Sequence, residues 1–529
     1  LAVARRSHWG WGYEHEHASL EELQTAARGI RDHLGFGDGQ VEQPVPLDDV
    51  ELPAPRLTPP PSLAGICTAA AYDRASHAYG KAYRDVVRAF RGRFDHVPDV
   101  VAFPRDANEV RALLDWCGER GAAVIPYGGG TSVVGGVEAR VGGEYAGAVT
   151  LDLSRLDRVL EIDRTSRAAL IQAGTTGPSL EDQLREHDLT LRHFPQSFQL
   201  STLGGWIATR AGGHFATLYT HIDDMVESIS AVTPAGDIET RRLPGSGAGP
   251  SPDRMLLGSE GILGVITEAW VRVQDRPVHK ASAGVTYPDF SSGAEAVRAL
   301  AQSGLYPTNC RLLDPREAQT TGASSDGALL VLGFESADHP VDAWMERALE
   351  LAADHQGTVS KRSDGKDSVG AWRDTFVRAP YLRDTFVACG VISDTFETAI
   401  TWDRFPRFHA SVMEAVEGAV RDVCGEGRVM CRFTHVYPDG PAPYYTVLAP
   451  ARRGSELEQW DEIKAAAAEA VVSGGGSITH HHAVGRDHRP WYDRQRPDRF
   501  AEALRAAKAS FDPGAILNPG VLVDPLPPL

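Results

Sequence analysis

Residues 123–136 read AVIPYGGGTSVVGG. An apolar run with strand character, Ala123 to Tyr127, stops at three consecutive glycines. A backbone without Cβ atoms lets its N–H groups converge on an anion at close range. The stretch is not a phosphate-binding Walker loop, because no Gly-Lys-Ser/Thr follows. It is not a dinucleotide fingerprint either, because GxGxxG spacing is absent and no helical pattern begins after it. For one glycine cluster, a plain tight turn beside a sheet is the simpler reading. Two more glycine-rich turns follow in the same region, 201–213 (STLGGWIATRAGG) and 258–273 (GSEGILGVITEAWVRV). Three such approaches suit a long ligand with a pyrophosphate at its middle.

The bulk properties are those of a soluble multidomain protein. The chain has 529 residues, 42% of them hydrophobic and 23% charged. That length favours two or three domains. With 53 Lys and Arg against 71 Asp and Glu, the formal charge is −18, the reverse of what a nucleic-acid binder shows. No apolar run approaches the ~20 residues of a membrane span. Neither a signal-peptide core nor a peroxisomal tripeptide is evident at the ends. The six cysteines form no CxxC pair, which suits a reducing compartment. A cytoplasmic location is the expectation.

Along the chain, 1–95 reads as a helical and extended lead-in. In it Ser19 is a candidate N-cap, Gly35 a helix stop, and 41–63 a Pro-rich arm. Residues 96–275 alternate strands and helices around the glycine turns. Residues 276–500 read as a second α+β domain with an antiparallel sheet. Residues 501–529 form a helix and a Pro/Gly-locked tail returning to the first domain.

The motifs PYGGGTSVVGG, QSFQLSTLGGWIATRAGG, EGILGVITEA and FDPGAILNPG together resemble the FAD-binding core of the vanillyl-alcohol-oxidase/PCMH flavoprotein superfamily. WGWGY, CRLLD, YLRD, TFETAITWDR and SITHHHAVG further resemble the alkyldihydroxyacetonephosphate synthases, in order and over nearly the whole chain. The resemblance implies an α+β fold: a PCMH-type FAD-binding domain of two α/β subdomains, a substrate or cap domain, and the helical lead-in. It also implies FAD contacts. Pro126, Tyr127, Gly128, Gly129, Gly130, Thr131 and Ser132 would wrap the pyrophosphate. Gln196, Ser197, Thr202, Gly205, Thr209, Arg210, Ala211 and Gly212 would meet the isoalloxazine and ribityl portion. Glu260, Gly261, Gly264, Val265 and Ile266 would form the adenine-side strand. Some relatives carry a histidine beside the glycine triad as a covalent anchor; Thr131 stands there, so the flavin is expected to be non-covalent.

The related 2-hydroxy-acid dehydrogenases carry HxGDGNxH and EHGxG segments that supply metal and proton-transfer groups. Here the first segment is HVYPDGPAPYY, which keeps Asp439 and Gly440 but lacks the Asn and the final His. In the second, His481 stands where those enzymes have Glu. The synthase pattern of a tyrosine and a histidine triplet is met by Tyr444 and by His480, His481 and His482. The resemblance makes these an acid–base cluster, with no metal, and makes Arg311 and Arg383 the grip on a phosphate. Imidazoles titrate near neutrality, and forked guanidiniums suit phosphate oxygens. If the triplet were extended, His480 and His482 would share one face and His481 the other.

The implied activity is exchange of an acyl for an alkyl group through a flavin N5 adduct, as in ether-lipid synthesis. The alternative is an FAD-linked oxidase or dehydrogenase of a hydroxylated or amino substrate. Two departures bear on that choice. The segment after Asp314 (PREAQTTGASSDG) is shorter than in animal-type synthases and lacks their hydrophobic-basic stretch, and the ILNPG tail resembles the oxidase branch. The expected partner is a small anionic molecule, with no nucleic acid and no transmembrane segment; a homodimer stays open.

Overall fold

A computed structural model describes residues 5–323, 327–363 and 380–524. The lead-in helix Leu20–Leu34 starts where Ser19 accepts a hydrogen bond from Glu22 N, and it ends at Gly35 in the left-handed region. The Pro-rich arm then runs extended across the molecule, tied by Glu42 N to Ala388 O and by Val45 N to Phe90 O.

Two sheets flank the first glycine turn. One has four strands in the order Cys67–Thr68, Val100–Ala102, Ala148–Asp152, Ala123–Tyr127. Its last three strands run parallel and are buried on both faces, which is why they read as unbroken apolar runs. The other has five antiparallel strands, with Val265–Arg272 at its centre between Ala168–Gln172 and Val226–Thr233. Leu113, Leu114, Val124, Leu151, Ile171, Leu203 and Val265 belong to one core beneath both sheets.

The second half builds a seven-stranded antiparallel sheet. Its order is Thr358–Ser363, His279–Tyr287, Ala328–Ser336, Asn309–Leu313, Arg428–Val436, Pro441–Pro450, Val391–Glu397. Helices Phe290–Gln302, Phe405–Cys424 and Glu456–Ser473 pack on it, sharing a core with Phe90 and Tyr83 of the lead-in. After Asp314 the shortened segment makes one helix, Pro315–Thr320, capped by Asp314.

The segment 201–213 is not a turn throughout, as its glycines suggest. Leu203–Thr209 is a helix, with the Thr202 hydroxyl accepting from Gly205 N. Its glycines serve packing: a Cβ on Gly204 would lie 2.6 Å from the Ala173 Cβ.

The C-terminal helix Asp498–Phe511 delivers the tail back to the first sheet, where Leu517 bridges Val124 in parallel. Lys508 fixes that return. Its buried ammonium donates to Ile262 O and Leu517 O and pairs with Asp512, whose carboxylate accepts from Ile516 N and Leu517 N. Lys508→Met leaves the Asp512 charge buried without its cation. The expected loss is about 3–5 kcal/mol, read by chemical denaturation.

Candidate flavin and acid–base site

The glycine turns meet one another closely. A Cβ on Gly129 would lie 2.0 Å from Leu200 O, one on Gly128 2.3 Å from the Thr202 Oγ1, and one on Gly261 3.0 Å from Pro126 Cγ. Glu260 N donates to Ala208 O at 2.8 Å, and Val265 and Ile266 pair with Val232 and Ala231. Ser197 O accepts from Leu200 N and Ser201 N, closing the turn that faces Gly129. Gly130 has φ +66°, a conformation that other residues rarely adopt.

Several polar groups here suit a bound cofactor. Among the described residues, the backbone N–H groups from Gly128 to Val133 donate to no protein acceptor, although Gly129 and Gly130 are buried. Such a row of free donors is unfavourable unless an anion or water meets it. Beside Gly213, both ring nitrogens of His193 and of His214 are buried without a protein partner. Burial pushes the His193 imidazole down to about 3, so it is a neutral donor and acceptor. The glycine cradle and these orphaned polar atoms fit the phosphates and polar ring edges of a flavin dinucleotide.

The histidine triplet adjoins the cradle at Gly212. The His481 Cβ lies 3.1 Å from the position of a Cβ on Gly212. The run is bent, not extended, because its N–H groups turn inward on one carboxylate. Glu397 accepts from His480 N (2.6 Å), His481 N (3.1 Å), His482 N (2.9 Å) and the Thr479 hydroxyl (2.6 Å). Consecutive rings therefore meet edge to face, with centroids 5.2 Å apart for His480 and His481 and 4.8 Å for His481 and His482. Burial raises the Glu397 pKa, but the facing His482 and His480 and the Thr479 hydroxyl outweigh it and hold the carboxyl at about 2. Burial, and then the neighbouring rings, keep His480 and His481 well below the ordinary imidazole value.

Beyond the triplet, Glu260 accepts from Val484 N and Gly485 N, at 2.8 and 2.7 Å. The histidines are thus strung between a carboxylate of the seven-stranded sheet and one of the flavin-binding half. Asn518 of the ILNPG tail closes this second anchor by donating to Gly136 O and Glu260 O.

Tyr444 stacks its ring 6.0 Å from His481 and lies under the Arg432 guanidinium at 4.0 Å, but its hydroxyl donates to the Thr395 Oγ1. The phenol bonded directly to the triplet is Tyr437, whose Oη is 2.7 Å from the His480 Nε2. Sequence reading passed over Tyr437, as it did Glu397 and His221. Arg383 donates to Lys81 O at 2.7 Å, 3.7 Å from the Asp394 carboxylate, and its charge reaches His482 and Tyr444. Arg311 is buried in the strand Asn309–Leu313; burial and the nearby Arg432 push its guanidinium down to about 9. Behind the glycine turn, Lys81 N donates to Ser132 O and Arg6 to Gly129 O.

His435, His480 and His481 each offer a ring nitrogen within 4.8 Å of the others, a spacing that one ion can bridge. Hydrogen bonds already engage these rings: the His435 Nε2 faces Gly213 O at 3.0 Å, and the His480 and His481 Nδ1 atoms are 2.9 Å apart.

The comparisons with known proteins agree with this geometry. Residues 98–241 match the FAD binding domain family and 276–522 the FAD linked oxidases, C-terminal domain. The chain is 30% identical to the alkyldihydroxyacetonephosphate synthase of Dictyostelium discoideum, over 85% of this chain and 77% of that one. The chain belongs to the alkyldihydroxyacetonephosphate synthase family. It is an FAD-dependent enzyme whose relatives also include oxidoreductases, such as the mitochondrial D-lactate dehydrogenase [cytochrome] of Arabidopsis thaliana, 25% identical over 81% of this chain and 74% of that one. A solved alkyldihydroxyacetonephosphate synthase superimposes with TM-score 0.81 at 24% identity, over 97% of this chain and 98% of that one, which shows the shared fold. Among the described residues, no helix is long and apolar enough to cross a membrane.

Two predictions follow from the anchors. Gly129→Val forces the turn away from Leu200 O, so the protein should fold but retain no FAD after gel filtration, read by its visible spectrum. Because its native pKa is depressed, Glu397 stabilises the fold fully above the unfolded value of 4.5, and that contribution disappears as pH falls toward about 2. Glu397→Gln should cost about 3 kcal/mol near neutral pH. Its gap in Tm from the parent protein should narrow as pH drops below 4.5.

Proposed function

We propose that this enzyme carries out the alkyldihydroxyacetonephosphate synthase type of exchange, acyl for alkyl, on a small anionic ketone ester with FAD held non-covalently. The observation that carries this reading is the histidine triplet adjoining the glycine cradle at Gly212, with a histidine, His481, at its centre. Bound FAD supplies an electrophilic ring to the substrate carbon, and the protein supplies the rest. Pro126 to Ser132 wrap the cofactor's pyrophosphate, with the backbone donors from Gly128 onward, and the turns at Gln196–Thr202, Thr209–Gly212 and Glu260–Ile266 seat its other portions. His481, held neutral, removes a proton beside the substrate carbonyl and later returns one. Tyr444 orders the wall behind that ring. Arg311 and Arg383 draw the anionic head group to the seven-stranded sheet. The short connection through Pro315–Thr320 supports a substrate met in solution, in the cytoplasm, and not one extracted from a bilayer.

The second reading is an FAD-linked oxidase or dehydrogenase of a hydroxylated or amino substrate, favoured by the oxidoreductase relatives and by the three-histidine spacing. The two readings part on one spectrum. A synthase exchanges label between acyl-dihydroxyacetone phosphate and an alcohol without oxygen uptake. An oxidase bleaches the flavin anaerobically and consumes oxygen in air. Activity lost to a chelator, with one tightly bound metal per chain, moves the protein to the dehydrogenase branch.

Three outcomes are expected. The purified protein is yellow and releases FAD, not FMN, on acid precipitation; a protein that stays colourless with added FAD removes the whole reading. His481→Ala keeps the flavin spectrum but lowers turnover by ~10²-fold or more. Arg383→Lys raises KM for the phosphate substrate, because an ammonium cannot repeat a two-pronged contact; an unchanged KM places the phosphate elsewhere.

A further inference from the structure

His221 belongs to none of the motifs that carry the family resemblance, yet it touches the triplet. It follows the flavin-side segment 209–213 and bridges Gly212 across a short antiparallel turn. Its Nδ1 lies 2.9 Å from Arg210 O. A carbonyl only accepts, so the Nδ1 carries the proton and, in the neutral ring, the Nε2 carries a lone pair. That Nε2 is 3.2 Å from the His480 Nε2. The contact is attractive when the His480 Nε2 holds the hydrogen, which also reaches the Tyr437 Oη, while the Tyr437 hydroxyl is 3.0 Å from the Thr220 Oγ1 and can donate there. The His480 Nδ1 is then bare, and it faces the His481 Nδ1 at 2.9 Å. A proton on the His481 Nδ1 satisfies both that lone pair and the Glu397 carboxylate 3.5 Å away. With the Tyr437 hydroxyl donating to Thr220 and not to His480, one tautomer set follows from the Arg210 carbonyl, and it leaves the His481 Nε2 unprotonated. The opposite set places two lone pairs face to face at His221 and His480, and a third against Glu397.

We propose that His221 is the outer terminus of a proton relay, His481–His480–His221, and that it stores the proton which His481 takes from the substrate. This inference rests on the reading of His481 as the base. When the His481 Nε2 gains a proton, its Nδ1 proton passes to the His480 Nδ1, and the Nε2 proton of His480 passes to the His221 Nε2. Each ring gains one proton and loses one, except His221, which becomes an imidazolium. The reverse hops return the proton and reset all three rings, so a reaction that removes and later replaces a proton needs no other acceptor. His221 is the member suited to hold the charge. The described carboxylates that act on it are Asp223, Asp224 and Glu397, and the other charged and titratable groups around it are the Arg210 side chain, His193, His435, His480 and His481. Burial lowers its pKa and the Arg210 side chain adds to that, while the Arg210 carbonyl and the Asp223 and Glu397 carboxylates work the other way and favour its cation.

The test uses the FAD-loaded enzyme with ring-labelled ¹⁵N histidine. Near neutral pH the relay requires His221 protonated at Nδ1, His480 at Nε2 and His481 at Nδ1, with His221 the first of the three to become an imidazolium on acidification. Protonation of His481 at Nε2, or of another member first, overturns the proposal. This arm needs no substrate, so its failure is separate from failure of the synthase reading. In the second arm His221→Gln keeps an acceptor for His480 but cannot store a proton, whereas His221→Ala leaves room for free imidazole. The relay predicts a kcat lowered about 10²-fold in both with KM unchanged, and recovery of His221→Ala by imidazole. Full activity of His221→Gln reduces His221 to a fixer of tautomers and overturns the storage role.

Discussion

The site depends on one buried carboxylate. Glu397 ends the strand Val391–Glu397 and receives three successive backbone N–H groups and a hydroxyl from the segment 479–482. A buried charge is tolerable only when its lone pairs are met, and here a single bend of chain meets them. The same donors force the bend, and the bend gathers three imidazoles edge to face that would otherwise alternate across a strand. Removing the carboxylate would leave those N–H groups buried without an acceptor, so bend and charge persist together. The catalytic geometry proposed for His481 is thus a by-product of satisfying Glu397.

The second carboxylate, Glu260, sets where that bend sits. By holding Val484 N and Gly485 N it draws the triplet against Gly212 and the flavin cradle, while Asn518 ties the same turn to Gly136. Burial raises the Glu260 pKa to about 7 against the pull of its two N–H donors. Its sign is opposite to that of Glu397: stability present below the unfolded value of 4.5 fades as pH rises through about 7. The two anchors therefore weaken at opposite ends of the pH scale. The join between the halves is firmest near pH 4.5, where both contributions are present.

Local signals in the sequence gave correct positions wherever the chemistry was local. Ser19 and Gly35 bound their helix, the three glycine turns meet, and the triplet lies beside the cradle. The exceptions depend on distant pairing. Leu203–Thr209 is helical although two glycines disfavour a helix, because Gly204 must pass close to Ala173. Glu397 lies within a motif that carries the family resemblance, but its role follows from its bonds to Thr479, His480, His481 and His482, far along the chain. Tyr437 and Tyr444 occupy one short segment, and only the fold shows that the first bonds to His480 while the second turns to Thr395. His221 is an ordinary residue in its own segment. Its partner is 259 residues away, beyond the reach of any spacing argument.

Electrostatics around the arginines proposed to draw the substrate complete the picture. Arg432 is matched by Glu317 and by the Tyr444 ring, so its charge is settled within the protein. Arg311 lies near it in a fully buried strand, and burial together with Arg432 depresses its pKa to about 9. A phosphate dianion entering beside these groups would strengthen the guanidinium it needs, since an opposite charge at close range favours the ionised form. The anionic substrate proposed for the synthase reading is of the kind that such a cationic strand would hold.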